Sequence, residues 1–370
     1  MRVTFEKQDL CKALETVQRA AQNKVTSNVN NGFFIAADSG TAVFQANDYT
    51  IGIKTSCAAQ VEEEGNAVIA APQLLTTLRM MPAGPILMEL KRGETVATFR
   101  SGTYVAKFPT RAPGDFPDVE LLDKSNCCTV RCRDLSEMTN LVSYAASSDK
   151  MKPFFTGVLF EIKGSVFAMA ATNTHRLACK EISLDEPAPN PGRFIVPANV
   201  LGDVCRLLPQ EEEDRVEITW VRNHVAFAFG DTYFVTALIN GEYPDYHRVI
   251  PKKFDTDAVV NLRDFAEAVR FVSPISMDAN YQTINFAFSG DTLEIYEEAP
   301  DVGRSDTSIP VRLTGSDLRI TFNCKYIEDI LKHSKGETIT LHLQSAGAML
   351  VEQEEDKTYL YVVTPMRGRN

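Results

Sequence analysis

No run of about 18 consecutive apolar residues occurs in the 370-residue sequence, so no transmembrane helix is expected. The first residues, Met1–Glu6, lack the apolar core of a signal peptide, and no low-complexity tract interrupts the chain. Apolar residues make up 44% and charged residues 24% of the total, which is ordinary for a globular protein. These features together predict a soluble, cytoplasmic protein of two or three domains that does not associate with a membrane.

The usual sequence signatures of catalysis and cofactor binding are also missing. There is no G-x-x-x-x-G-K-[ST] loop for nucleotide phosphates and no G-x-G-x-x-G loop for a dinucleotide. The adjacent pair His175 and Arg176 could suggest acid–base chemistry, but no serine or cysteine nucleophile motif accompanies it. No carboxylate pair has a recognisable metal-binding spacing. The sequence therefore predicts a non-enzymatic protein without a cofactor.

The eight cysteines do not form a metal-binding pattern. Only Cys127, Cys128 and Cys132 lie close together, and they lack the paired C-x-x-C spacing of a zinc site. Their spacing instead places Cys128, Val130 and Cys132 on one face of a strand. We interpret these cysteines as small buried hydrophobic residues and predict no metal.

The net charge of −11 argues against a protein that grips DNA by a broad basic surface, because phosphate affinity comes from neutralising lysine and arginine. The predicted helices nevertheless carry a small net positive charge. The net charge of the remaining residues is therefore more negative than that of the whole chain. This difference allows two interpretations. The helices either carry an unremarkable excess of lysine and arginine, or they face a polyanion while the acidic sheets face outward.

Similar segments recur three times along the chain. A strand-like stretch with a tyrosine recurs at Tyr104, Tyr233 and Tyr359, at spacings of 129 and 126 residues. The two residues before the tyrosine are Gly-Thr, Asp-Thr and Lys-Thr, respectively. The second copy continues into Gly241-Glu-Tyr-Pro-Asp-Tyr-His-Arg-Val-Ile-Pro251, in which a Pro-Asp pair predicts a turn. A period of about 125 residues is too long for a solenoid unit, whose repeat is roughly 20 to 50 residues. The repeat therefore predicts modules that each bury a core.

Each module contains two stretches with helical spacing of apolar residues and several short alternating stretches typical of strands. The predicted helices span residues 7–24, 72–82, 133–152, 197–209, 263–272 and 323–335. Short turns between the strands favour antiparallel pairing. The sequence thus predicts an α+β fold of three repeated domains at residues 1–124, 125–252 and 253–370, each with antiparallel sheets and two helices.

Three motifs in this order resemble the bacterial sliding clamp, the β subunit of DNA polymerase III. They are Ala171-Thr-Asn-Thr-His-Arg-Leu-Ala178, the Gly241–Pro251 stretch, and the tail Val362-Val-Thr-Pro-Met-Arg367. The resemblance covers the whole chain. It implies a homodimeric ring with helices lining a pore, which encircles double-stranded DNA without reading its sequence. A ring holds DNA by topology, so a chain of net charge −11 is compatible with a DNA partner.

The resemblance also implies a pocket for short peptide motifs between the second and third domains. An apolar cleft with a flexible methionine suits Leu- and Phe-bearing peptides from several proteins. The implied partners are the catalytic subunit of DNA polymerase III, the clamp loader, and other polymerases and repair proteins. The pocket residues carried over are Phe155, Thr172, Thr174, His175, Arg176, Leu177, Pro244, Arg248, Val249, Tyr281, Asn323, Tyr326, Val362, Val363, Pro365, Met366 and Arg367.

Two further sets of residues follow from the resemblance. Lys24, Lys150 and Lys152 correspond to basic loop positions that touch DNA. Ring closure is expected to bring the Arg100–Phe108 strand of the first domain against the Val269–Met277 region of the third domain in the other copy. The residues implied in that contact are Tyr104, Ala106, Phe108, Phe271 and Ile275.

The chain departs from the family pattern at a few positions. Asn173-Thr174 stands where the family commonly has Asp-Gly, so a backbone conformation open to glycine must be accessible to threonine here. Thr364 replaces a common methionine, and Gly368-Arg-Asn370 extends past the usual end. These changes bear on the shape of the pocket and on peptide preference.

Two other functions stay open at this point. A scaffold with the same fold but no ring would leave the pocket active and the strand at 100–108 as an exposed edge. An enzyme acting on DNA, such as a nuclease, would need a metal-binding carboxylate cluster that the sequence does not display.

Overall fold

The computed structural model describes residues 1–21, 32–70, 73–111, 113–278, 282–299 and 302–366. Contacts between residues divide the chain into two compact units. The first unit comprises residues 1–133, 185–190 and 203–238, and the second comprises residues 134–184, 191–202 and 239–370. The central part of the sequence therefore contributes to both units.

The described residues form six α-helices, two in each third of the chain, as the repeat predicts. They are α1 Lys7–Ala21, α2 Leu74–Met80, α3 Cys132–Val142, α4 Ala198–Leu207, α5 Leu262–Asp278 and α6 Cys324–His333. Helix α1 buries Leu10, Leu14 and Val17 at the predicted helical spacing. At α6, the side chain of Asn323 accepts a hydrogen bond from the Tyr326 amide and caps the helix.

Two predicted helix limits were wrong. Helix α3 ends at Val142, ten residues early, because the chain turns back and the Ser147 amide donates to the Phe155 carbonyl at 2.8 Å. Helix α5 was predicted to end at residue 272, but it continues through Pro274 to Asp278. Proline 274 cannot donate to the carbonyl of Arg270, but the Ser273 hydroxyl donates to that oxygen at 3.3 Å and partly replaces the lost bond.

The first unit contains one sheet of thirteen strands. Numbered along the chain, its strands are β1 Arg2–Glu6, β2 Gly32–Asp38, β3 Thr41–Asn47, β4 Ile51–Ala58, β5 Gln60–Glu63, β6 Gly65–Ala70, β7 Pro85–Glu89, β8 Val96–Ser101, β9 Tyr104–Arg111, β10 Cys127–Arg131, β15 Arg215–Trp220, β16 His224–Phe229 and β17 Thr232–Ala237. Strand β17 pairs with β4 and thereby joins strands of the central repeat to those of the first.

The second unit contains a sheet of nine strands and a sheet of four strands. The strands of the larger sheet are β11 Gly157–Lys163, β12 Val166–Thr172, β13 Arg176–Ser183, β14 Gly192–Pro197, β18 Thr256–Asn261, β22 Arg312–Gly315, β24 Thr338–Leu343, β25 Met349–Gln353 and β26 Tyr359–Val363. The smaller sheet consists of β19 Thr283–Ser289, β20 Thr292–Ala299, β21 Gly303–Pro310 and β23 Leu318–Asn323.

All strand pairs between described residues that neighbour the candidate site are antiparallel, which confirms the predicted α+β class. The pairing of β13 with β26 sets Arg176 opposite Val363 and Leu177 opposite Val362. Residues almost two hundred positions apart thus become neighbours in one sheet. This pairing brings the first and third sequence motifs together.

Candidate functional site

A short turn between β12 and β13 forms one wall of the site. The Asn173 side-chain oxygen accepts hydrogen bonds from the amides of His175 and Arg176, each at 3.0 Å, and the Thr174 amide donates to the Thr172 hydroxyl at 3.0 Å. These local bonds hold Thr174 at a φ of 78°. The left-handed conformation costs a β-branched residue about 1–2 kcal/mol, so this turn holds threonine where glycine would be unstrained.

Arg176 anchors this turn to helix α6. Its guanidinium donates to Asp329 Oδ2 at 2.6 Å and to the Tyr144 carbonyl, and it lies 4.6 Å from the ring centroid of Tyr326 and 5.4 Å from that of Tyr144. Only 8% of Arg176 is exposed. Burial alone would lower its pKa, but the hydrogen-bonded Asp329 carboxylate outweighs that effect and raises the pKa above its ordinary value. The guanidinium is therefore a permanent, fixed cation in the wall.

Beside the turn lies an apolar cavity of about 240 Å³. The aromatic side chains of Phe155 and Tyr243 meet edge to face at a centroid distance of 5.7 Å within its wall. The residues that line the cavity are Phe155, Thr172, Thr174, His175, Arg176, Leu177, Tyr243, Pro244, Asp245, Tyr246, Val249, Ala348, Val362 and Thr364. A cavity of this size and lining suits one or two apolar side chains of a ligand.

The segment that follows Gly241 is held in place by polar contacts. The Arg193 guanidinium donates to the Tyr243 carbonyl at 2.9 Å, and the Asp245 carboxylate accepts from the His247 amide at 3.2 Å. Burial raises the pKa of the Tyr243 phenol and that of the Tyr246 phenol well above the ordinary value. Both tyrosines therefore stay neutral and present uncharged rings to the cavity.

A second, larger cavity of about 610 Å³ adjoins the first. Its lining is mostly polar and consists of Ala146, Ser147, Ser148, Asp149, Lys152, Phe155, Asn173, Thr174, His175, Arg176, Gln282, Asn323, Lys325 and Tyr326. Phe155, Thr174, His175 and Arg176 line both cavities. We call the two spaces the apolar cavity and the polar cavity, with the Thr174–Arg176 turn as the ridge between them.

The structure brings most of the predicted pocket residues together. Nine of them line the apolar cavity, namely Phe155, Thr172, Thr174, His175, Arg176, Leu177, Pro244, Val249 and Val362. Asn323 and Tyr326 line the polar cavity instead. Tyr281 and Arg367 lie outside the described residues.

The remaining four predicted residues line neither cavity. Arg248 extends into solvent and pairs with Asp245 at 3.0 Å. Val363 is buried at the end of strand β26, and Pro365 is half-buried. Met366 is half-buried and donates its amide to the Thr321 carbonyl at 2.8 Å. Val363, Pro365 and Met366 therefore lie within the fold beside the site, whereas Arg248 does not contribute to its wall.

Sequence reasoning missed four residues of the apolar cavity, Tyr243, Asp245, Tyr246 and Ala348, and named Thr364 only as a departure from the family pattern. The first three belong to the Gly241–Pro251 stretch, whose Tyr-Pro-Asp-Tyr pattern was a usable signal. Ala348 precedes strand β25 and had no local signal, since only sheet pairing brings it to the cavity.

The predicted DNA-contact and dimer residues lie elsewhere on the chain. Lys150 and Lys152 are exposed in the loop after α3, and Lys24 lies outside the described residues. Tyr104 is 55% exposed at the start of β9, where Ala106 and Phe108 are half-buried. Strand β9 pairs with β8 along most of its length but with β6 only at Thr110 and Arg111, so most of its other edge has no partner among the described strands.

The third-domain residues of the predicted contact lie on helix α5. Phe271 is 61% exposed and Ile275 is half-buried. Helix α5 packs against β20 and β21. Strand β21 pairs only with β20 among the described strands, which leaves its outer edge open beside the helix.

Within the described part of the chain, no group of three or more His, Cys, Asp or Glu side chains is placed to hold a metal ion. No described helix combines the length and apolar character that membrane crossing requires. Burial raises the pKa of Cys128 to about 12 and that of Cys132 to about 11, so both thiols are protonated at neutral pH.

Three family models match consecutive parts of the chain. They describe the N-terminal, central and C-terminal domains of the DNA polymerase III beta subunit and match residues 1–120, 129–245 and 247–367. A curated relative named Beta sliding clamp, from Bacillus subtilis, is 23% identical over 99% of this chain and 100% of its own length. One of the same name from Synechococcus elongatus is 25% identical over the full length of both.

Solved structures agree with the fold. The DNA polymerase sliding clamp of Bacillus subtilis superimposes with a TM-score of 0.95 at 22% identity, with both chains covered completely. The DnaN sliding clamp of Pseudomonas aeruginosa, solved bound to griselimycin, gives a TM-score of 0.93 at 24% identity, again over both full chains.

Proposed function

The chain belongs to the DNA polymerase III β-subunit family, the bacterial sliding clamps, and from this premise we propose that it forms a homodimeric ring around duplex DNA. Members of this family are non-catalytic processivity factors of the replicative polymerase. Three clamp domains follow one another in this chain, and we take their limits as 1–124, 125–252 and 253–370. Limited proteolysis at the junctions near 124 and 252 tests those limits.

Partner binding is the part of the function that the site supports directly. The single observation that carries it is the apolar cavity, which three motifs distant in sequence build together. It suits the leucine and phenylalanine side chains of a short peptide segment. We propose that the replicative polymerase, the clamp loader, and other polymerases and repair proteins bind in turn through such segments.

Open strand edges support ring closure. The outer edges of β9 and β21 lack partners along most of their lengths among the described strands, and each lies beside an exposed aromatic residue, Tyr104 and Phe271 respectively. Exposed edges are a liability that association with a second copy removes. A head-to-tail contact between the first domain of one copy and the third domain of the other occurs twice in a closed dimer.

Contacts with DNA are expected to be few and weak. Lys150 and Lys152 are exposed in one loop, and Lys24 belongs to the residues that the structure does not describe. Each phosphate contact would be salt-sensitive, so retention on DNA must come from the closed ring.

Since chromosomal DNA lies in the bacterial cytoplasm, we place the protein there, and cell fractionation would test this placement.

The decisive experiment is retention on nicked circular DNA after loading by a cognate clamp loader with ATP. We expect the protein to remain on the circle in high salt and to be released when the circle is linearised. Salt-sensitive retention that does not depend on linearisation would contradict encirclement. No retention, while a known clamp loads in parallel, would favour a scaffold without a ring.

Replacing Lys24, Lys150 and Lys152 by alanine should lower loading without changing the dimer mass.

A further inference from the structure

The polar cavity carries an excess of unneutralised positive charge. Lys152 and Lys325 are exposed at its lining, and neither forms an ion pair with any described residue. Arg176 adds a third cation, but Asp329 balances its charge at 2.6 Å. The lining therefore holds two free ammonium groups.

Asp149, the one carboxylate among the described residues of the lining, does not cancel this charge. Its Oδ1 accepts a hydrogen bond from the Met151 amide at 2.8 Å and thereby shapes the loop. It makes no ion pair with Lys152, although the two residues are only three positions apart. One carboxylate against two free lysines leaves a net positive lining.

The beginning of helix α6 adds to the positive potential. The unpaired amides at a helix N-terminus favour an anion, and acidic side chains are the usual choice in the first turn. This helix has Lys325 there instead, two residues after the capping residue Asn323. A lysine at this position slightly destabilises an isolated helix, so its presence has no explanation in the stability of α6 itself.

Two of the three amide side chains that line the cavity, those of Asn173 and Asn323, are already engaged. The Asn173 oxygen accepts from two backbone amides and its nitrogen donates to the Tyr326 hydroxyl at 3.0 Å. The Asn323 oxygen accepts from the Tyr326 amide at 3.3 Å. The side-chain oxygens of Asn173 and Asn323 are therefore occupied, whereas the ammonium groups of Lys152 and Lys325 remain available as donors. The free hydrogen-bonding capacity matches a carboxylate better than an amide.

We propose that the polar cavity selects an acidic side chain, aspartate or glutamate, next to the hydrophobic anchors of the partner peptide, with Lys325 and Lys152 as the specificity-determining residues. This inference rests on the proposed peptide-binding function. The two cavities share the Thr174–Arg176 ridge, so one extended segment reaches both. Charge complementarity identifies the occupant of the polar cavity as the acidic residue of that segment.

The test uses two sets of fluorescent peptides of the Gln-Leu-x-Leu-Phe type. In one set the first residue of the motif is Gln, Glu or Lys, and in the other set the residue that precedes the motif is Gln, Glu or Lys. Affinity is measured by fluorescence anisotropy with the full-length protein. At about 0.1 M salt, the best Glu peptide should bind roughly 2- to 5-fold more tightly than the Gln peptide, and the Lys peptide more weakly. The preference should shrink at about 1 M salt, where charges are screened within about 3 Å.

Variants assign the preference to named residues. Lys325→Glu should reverse it in favour of the Lys peptide, and this change places an acid in the first turn of α6, where it stabilises the helix. Lys152→Gln should weaken the preference. Lys163→Gln, which removes an exposed lysine at the end of β11 that lines neither cavity, should leave it unchanged.

The outcomes separate this inference from the function on which it rests. Equal binding of Gln, Glu and Lys peptides would overturn acidic selection and leave the peptide pocket intact. Binding by none of the peptides would overturn both. If Lys325→Glu and Lys152→Gln reduce retention on DNA but do not alter peptide preference, these lysines face DNA and the inference is wrong.

Discussion

Arg176 and Asp329 form an ion pair of 2.6 Å between residues 153 positions apart in the sequence. Arg176 begins strand β13 and Asp329 lies on α6, so the pair ties the ridge between the two cavities to the last helix. Both side chains are largely buried. The ridge is therefore a structure that depends on the third domain, although every residue of its turn belongs to the second.

Removal of the Asp329 carboxylate should destabilise the protein strongly. Asp329→Ala leaves the Arg176 cation buried without its counter-charge, and we expect a loss of about 3 kcal/mol in the free energy of unfolding by urea. Glu328→Ala is the matched control, since it removes only a 3.8 Å contact with the exposed Lys332 and should cost less than about 0.5 kcal/mol. Equal losses in the two variants would show that the buried pair has no special role.

Replacing Thr174 by glycine should stabilise the fold. Glycine avoids the left-handed penalty of about 1–2 kcal/mol but loses roughly 0.5–1 kcal/mol in unfolded-chain entropy, which leaves a gain of about 0.5–1 kcal/mol. Thr174→Ala keeps the Cβ atom and the penalty, so it should bring no such gain. Thermal unfolding measures both. A gain for alanine as large as that for glycine would rule out backbone strain as the cause.

Stability should fall at acid pH in part because of Asp356. Burial raises the pKa of this carboxyl, but hydrogen bonds from Lys180 at 2.6 Å and from Thr358 outweigh burial and hold the pKa below its ordinary value. At a pH between the ordinary aspartate pKa near 3.9 and the lower pKa of folded Asp356, the unfolded chain binds more protons than the folded chain. The stability that Asp356 contributes above about pH 4 is therefore lost as the pH falls through this range.

Urea unfolding at a series of pH values measures this contribution. In Asp356→Asn the acid-dependent part should be smaller, whereas Asp185→Asn, which alters an exposed pair at 3.7 Å, should follow the unaltered protein. An identical pH profile for Asp356→Asn would contradict the assignment.

A stop after Val363 should abolish peptide binding. The lost segment includes Thr364, which lines the apolar cavity and donates its amide and hydroxyl to the His175 carbonyl at 2.9 and 3.0 Å. Strand β26 ends at Val363 and stays whole, so the fold and the dimer mass should not change. Anisotropy with a Gln-Leu-x-Leu-Phe type peptide measures the loss, and unchanged affinity would disprove the role of the tail.

An aspartate in place of Phe271 should convert the dimer to a monomer. The ring is 61% exposed, so the substitution removes little packing within one copy but would bury a charge in the expected contact. Met80→Asp on α2, at a more exposed hydrophobic residue, is the control and should remain dimeric. Light scattering gives the mass. A dimer for Phe271→Asp at the same concentration would place the interface elsewhere.

Local signals predicted the helices well and their ends less well. Apolar spacing identified all six, but the early end of α3 depends on a backbone bond between Ser147 and Phe155 across a loop. Likewise, the passage of α5 through Pro274 depends on a neighbouring serine that bonds the freed carbonyl. Such compensation is a property of three-dimensional neighbours and leaves no periodic pattern.

The sequence repeat predicted three similar modules, but it did not predict how exposed the corresponding residues of each module are. Tyr104 and Tyr359 occupy matching places in the repeat, yet Tyr104 is 55% exposed and Tyr359 is only 1% exposed. The first lies on a partly unpaired edge strand, whereas the second is covered and bonds the Tyr144 hydroxyl at 2.7 Å. Sheet pairing, which joins strands of different repeats, decides which copy is covered.

The sequence alone determined the threefold repeat and the antiparallel α+β class, because these depend on periodicity and on short turns between neighbouring strands. The tertiary structure decided the site. The apolar cavity exists because β13 pairs with β26, and the ridge is held because Arg176 reaches Asp329. Contacts between residues 150 or more positions apart follow from packing of the whole chain, and no local pattern specifies them.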